Sequence, residues 1–175
     1  MSRYLQAEAD LLTRLTTKLT AAGVDANILA MPETDRGFEV SIKKPRITVV
    51  FLGAEAGNVQ GINGAGFAQD ETFSFEIQIK SVNLRGANGI YSLLEIVRVA
   101  VMGYRLPNSH TGLTLKNVML TERDAGIWAY SIFFDAGFIA ASEPDASTDV
   151  LISQITTLLE TAGALMDTIV VPPPA

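Results

Sequence analysis

The chain has 175 residues, 48% of them hydrophobic and 18% charged, with a net charge of −6 and a mean hydropathy of +0.27. That apolar content excludes a disordered chain, and the absence of cysteine excludes disulfides and thiolate chemistry. The single histidine, His110, leaves little room for a metal cluster or a histidine relay.

A helix opens the chain, with Leu5, Leu12, Leu15 and Leu19 at three-to-four spacing and Leu11 beside them. Gly23 ends it as a left-handed residue. Ile28 to Met31 form a short extended run stopped by Pro32. Three strand patterns follow: Phe38-Val40-Ile42 in alternation, the β-branched run Ile47 to Leu52, and Phe73-Phe75-Ile77-Ile79 alternating with polar residues. Between the last two lies the glycine-rich stretch Gly53 to Asp70. Its length predicts a loop that is mobile until it meets a partner, with Phe67 and Ile62 as apolar anchors.

Asn88 is a candidate N-cap for a second helix whose apolar stripe is Ile90, Leu93, Leu94, Val97 and Val101, closed by Gly103 and Pro107. Two strands, Leu113–Thr121 and Ile127–Phe134, then form a hairpin across Glu122 to Gly126. The second is apolar on both faces. That pattern predicts burial on both sides, between layers or against another subunit, with Trp128 and Tyr130 as core residues by default and interface residues as the alternative.

A polar linker follows at Ala140–Thr148. Val150, Leu151, Ile155, Leu158, Leu159, Ala162 and Met166 then predict a third amphipathic helix ahead of a proline-rich tail. This helix needs a partner surface, on its own domain or on a neighbouring chain. Residues 1–134 carry thirteen cations and thirteen anions, so the whole imbalance lies in residues 135–175, which hold six acids and no Lys or Arg. The expected fold class is α+β, a mostly antiparallel sheet with helices on one face. The expected division is a domain over 1–139, with linker, helix and tail over 140–175.

Chemistry finds little support in this order of residues. The glycine-rich stretch has no Lys, so it is not a phosphate-binding loop, and Gly64-Ala65-Gly66 does not continue into a dinucleotide fingerprint. His110 stands alone in a loop, and the pairs Glu33/Asp35, Asp70/Glu71 and Glu122/Asp124 read as turn-solvating carboxylates. No catalytic residue, cofactor or metal is expected. Lys43, Lys44 and Arg46 form the one basic cluster. It is too small and too poor in aromatics for specific nucleic-acid binding, and reads equally as a charged strand edge or a subunit contact. Arg85, Leu151, Ile155 and Leu158 complete the candidate contact residues. Glu8 and Asp10 interrupt the run an export signal would need, and no uncharged apolar stretch reaches the ~18 residues of a membrane helix. No membrane partner is expected.

The chain resembles the tail-terminator family of Mu-like contractile-tailed phages and related contractile particles. The likeness is carried by Met31-Pro32, Ile47 to Gly53, Phe73 to Ile79, the helix Gly89 to Arg98 with Gly103, and the acidic turn Glu122 to Gly126 leading into Ile127-Trp128-Ala129-Tyr130. It covers about residues 5–135; the extension beyond Asp135 departs from the pattern. The resemblance implies a structural virion protein, assembled in the host cytoplasm into a ring, typically a hexamer. Such a ring caps the head-proximal end of the tail tube and sheath and meets the neck, and DNA can pass through it. No catalytic residue is implied. The alternatives are another neck or head–tail connector, or a small-molecule binder or enzyme using the glycine-rich stretch.

Overall fold

A computed structural model describes residues 2–32, 44–62, 66–86, 88–124 and 126–141. The elements, in chain order, are α1 (Arg3–Ala21), β1 (Asn27–Ala30), β2 (Arg46–Ile62), β3 (Gly66–Ser81), α2 (Ile90–Val101), β4 (Thr114–Asp124) and β5 (Ile127–Ala141). The expected strand at Phe38–Ile42 and the expected third helix lie outside the described residues.

Five described strands make one mixed sheet in the order β1-β2-β3-β5-β4. β1 pairs in parallel with β2, Ile28 facing Ile47 and Ala30 facing Val49. β2 and β3 are neighbours separated by three residues, a connection only antiparallel strands permit. β5 and β4 are antiparallel, from Thr114 opposite Asp135 to Asp124 opposite Ile127. The fold is α+β, as its periodicities predict.

The core follows from the alternation. Phe73, Phe75, Ile77 and Ile79 are fully buried, while the intervening polar residues of β3 are half-exposed. Against that apolar face α1 sets Ala7, Leu11, Leu15 and Leu19, and α2 sets Ile90, Leu93, Val97 and Val101. Tyr4 of α1 stacks on Phe51 at 4.9 Å between ring centres, and Phe73 stacks on Phe138 of β5 at 4.0 Å. The opposite sheet face carries polar contacts: Ser131 donates to Glu76 at 2.5 Å, and Lys80 pairs with Glu122 at 2.6 Å.

Helix ends explain two local choices. Gly23 takes φ +70°, and the Val24 amide donates back to the Leu19 carbonyl, satisfying an orphan acceptor of α1. The N-cap of α2 is Gly89, not Asn88. There the first amides find carbonyls of the preceding loop, Ile90 to Asn83 and Tyr91 to Leu84, so no capping side chain is needed.

The largest departure from expectation is the glycine-rich stretch. Its described residues are strand rather than loop: β2 continues to Ile62 and β3 begins at Gly66. Gly57 faces Asp70 so closely that an added Cβ would lie 3.1 Å from the Asp70 Cβ. Leu52 and Val59 are half or more exposed here, so ladder hydrogen bonds carry these strands, with no buried face to stamp a period of two on the residues. By its contacts the chain forms two compact units, Met1–Gly57 with Asp70–Ile139, and Asn58–Gln69 with Ala140–Ala175. No described helix is long and apolar enough to cross a membrane.

Candidate assembly surfaces

The predicted contact residues separate on the structure. Lys43 and the trio Leu151, Ile155 and Leu158 lie outside the described residues. Lys44 is exposed and holds Asp25 at 2.7 Å. Arg46 is only 9% exposed and opens β2, an interior strand facing Asn27 of β1. The basic run is therefore not an exposed charged edge at Arg46, because β1 covers that side. Ile62 closes β2, Phe67 lies in β3, and Arg85 is exposed in the loop before α2.

A different surface emerges around the edge strand β4. Val118, Met119 and Leu120 are consecutive and exposed by 40%, 45% and 46%. Register places Val118 opposite Ile132, Leu120 opposite Tyr130, and Arg123 opposite Trp128. The Arg123 guanidinium sits 5.0 Å above the Trp128 ring. Tyr91 from the first turn of α2 meets Tyr130 edge-on at 6.1 Å. A hydrogen bond between the two hydroxyls, followed by burial, raises the Tyr130 phenol above its ordinary value. Trp128 and Tyr130 are half-buried, because helix cover ends before the strand edge does. Trp, Tyr and Arg grouped beside exposed aliphatics is the make-up of an energetic centre in a protein contact.

The edge itself is blunted. Register shifts at Leu115/Asn117 and Leu120/Glu122 leave Lys116 and Thr121 as bulged residues, which interrupt the ladder a foreign strand would join. Side chains, rather than strand addition, are what this face offers a partner.

Two concave regions lie apart from this patch. A polar cleft of about 420 Å³ brings His110, Thr111 and Thr114 to Asp70, Glu71 and Asp135. Its carboxylates are engaged: Glu71 pairs with Arg3, and Asp135 accepts from Ser74 at 2.8 Å and pairs with Lys116 at 3.1 Å. The His110 amide donates to the Gly137 carbonyl at 2.9 Å, pinning the loop to β5. Among the described residues no group of three or more His, Asp or Glu is placed to hold a metal ion. The second region is an apolar groove between α1 and α2.

The sequence allows an interface role for Trp128 and Tyr130, but it does not mark the β4 side of the patch as a surface. Its residues come from β4, β5 and α2, which strand register and the Tyr91–Tyr130 ring contact bring together. Runs of exposed apolar residues on a strand that borders a turn, as at Val118-Met119-Leu120, are the signal that could have marked it.

No curated protein matches the chain. The model of one family, described as Gp37 protein, matches residues 11–158, which spans the second half of α1, all of α2 and all five described strands. The chain belongs to this family of phage proteins.

Proposed function

We propose that this protein is a structural component of the phage particle, a tail terminator that assembles into a ring at the head-proximal end of a contractile tail. In that role it meets the tube and sheath on one face and the neck on the other, and it acts through its surfaces rather than by catalysis. The observation that carries this reading is the exposed patch at β4, where Val118 and Leu120 share a face with Trp128, Tyr130 and Arg123. A contiguous apolar patch of this kind is a liability on a solitary domain and an asset on a subunit. Membership of a phage family supports the setting, and the resemblance over residues 5–135 supports the terminator role. A closed ring also turns an open-ended stack of tube subunits into a finished end.

The test is to remove the gene from a producing strain and measure tail lengths by electron microscopy. Tails of uncontrolled length without heads, restored to uniform length by the gene in trans, are the expected result. Tails of uniform length that merely lack heads would place the protein in the neck instead. Normal particles would contradict any structural role.

A further inference from the structure

The β4 patch has a definite sign of charge. Arg123 sits above Trp128, and Arg85 is exposed in the loop that leads from β3 to Tyr91, at the end of the sheet where Lys80 meets Glu122. Among the described residues neither arginine has an ion pair, whereas Lys80 and Glu122 neutralise each other. A partner for this patch must bring an acid together with apolar surface. Residues 52–57 of β2 bring both. Leu52 is 50% exposed, and Ala54, Glu55 and Ala56 beyond it are exposed. Glu55 makes no ion pair or hydrogen bond among the described residues. Residues 47–79 carry Glu55, Asp70, Glu71 and Glu76 and no Lys or Arg, so no cation of the hairpin offsets it.

The two stretches also match in spacing. Phe51 packs on Phe73 and Phe75, so Leu52 points to the other face of the sheet. Gly57 lies against Asp70, which alternates away from Phe73, so Glu55 points to that other face as well. Gly53, at φ +155°, takes up the extra residue between them. On β4 the register shift between Leu120 and Glu122 does the same: Leu120 stands opposite Tyr130 and Arg123 opposite Trp128. Each strand therefore presents one apolar and one charged side chain on a single face, three positions or about 10 Å apart.

We infer that the β4 patch of one copy holds residues 52–57 of a second copy, with Leu52 on Leu120 and Tyr130 and Glu55 toward Arg123. The other apolar surfaces have the wrong sign. The groove between α1 and α2, where Val99 is 66% exposed, carries Arg14 and Lys18, and its Glu95 is matched by Arg98 at 2.6 Å. A second β4 patch would set arginine against arginine. A contact between two different surfaces of one chain is heterologous, the kind that propagates around a ring. The inference rests on the reading of β4 as an assembly surface and names what that surface holds.

The chain has no cysteine, so an introduced pair reports without background. The test oxidises the full-length chain carrying both Leu52→Cys and Leu120→Cys. β3 and β5 lie between β2 and β4, which sets the two positions about 14 Å apart within one copy. That is beyond the roughly 7 Å a disulfide can span, so the pair closes only between copies. The expected result is a ladder of reducible multimers that neither single variant forms. A double variant that stays monomeric would overturn the inference. So would Leu120→Cys alone linking as readily, or an equal ladder when Thr13→Cys, on the exposed side of α1, replaces Leu52→Cys. Adding Arg123→Glu should lower the linked fraction about threefold or more at low salt, and Glu55→Arg in the same chain should restore it. A yield that ignores both reversals would overturn the match of charges. Tail length is not read here: a missing ladder beside tails that lose their uniform length without the gene would remove this partner and leave the terminator reading standing.

Discussion

Gly89 occupies a position where backbone, not conformation, sets the residue. A Cβ there would lie 2.5 Å from the Arg85 carbonyl carbon and 2.6 Å from its oxygen, inside contact distance of main chain that has no flexible end to move. Gly89→Ala should therefore destabilise the fold by roughly 1–3 kcal/mol, the range for forced overpacking. A melting curve that matches the parent would show that the loop before α2 yields freely. At Tyr130 the raised phenol depends first on the Tyr91 hydroxyl. The neutral phenol is the form the fold favours. Stability from this pair is thus fully present below the unfolded-state value and lost as pH rises through the higher folded value. Tyr91→Phe should shift the Tyr130 titration back down toward 10.0, read as phenolate absorbance on alkaline titration. An unmoved titration would mean the hydroxyls do not meet.

At the scale of elements, legibility tracks burial on one face. The leucine stripe of α1 and the alternation of β3 were readable because each element packs a single side against one core. The long arms of β2 and β3 were not, since Leu52 and Val59 stay wet and ladder bonds leave no mark on residue type. Trp128 and Tyr130 illustrate a subtler case. Their shared face was evident from spacing, and it is the same face that buries Ile132 and Phe134. How far α2 reaches across that face is a matter of tertiary placement, so their half-buried state could not be read from order alone. The contrast predicts two outcomes. Leu15→Ala, at a fully buried site in α1, should cost about 2–5 kcal/mol, whereas Val99→Ala should stay within about 0.5 kcal/mol. Thermal or urea unfolding distinguishes them, and equal losses would mean that Val99 is covered in the isolated protein.

For the whole molecule, the described residues offer two apolar surfaces of different character: an aromatic patch at the β4 edge and a groove between the helices with excess positive charge. Two unlike surfaces on one chain are what head-to-tail association requires. The acids of the last forty residues, unbalanced by any cation, suit a protein that must not hold DNA on that segment. The account rests on surfaces carrying the function, and the β4 patch lets that be tried without disturbing the core. Val118→Lys with Leu120→Lys replaces two exposed residues by one that natural edge strands tolerate. The decisive measurement is complementation of a strain lacking the gene by this double variant, with tails scored by electron microscopy and the purified variant's unfolding measured alongside. The account predicts unfolding within about 0.5 kcal/mol per substitution of the parent, together with failure to restore uniform, head-joined tails. A folded variant that yields normal particles would contradict it.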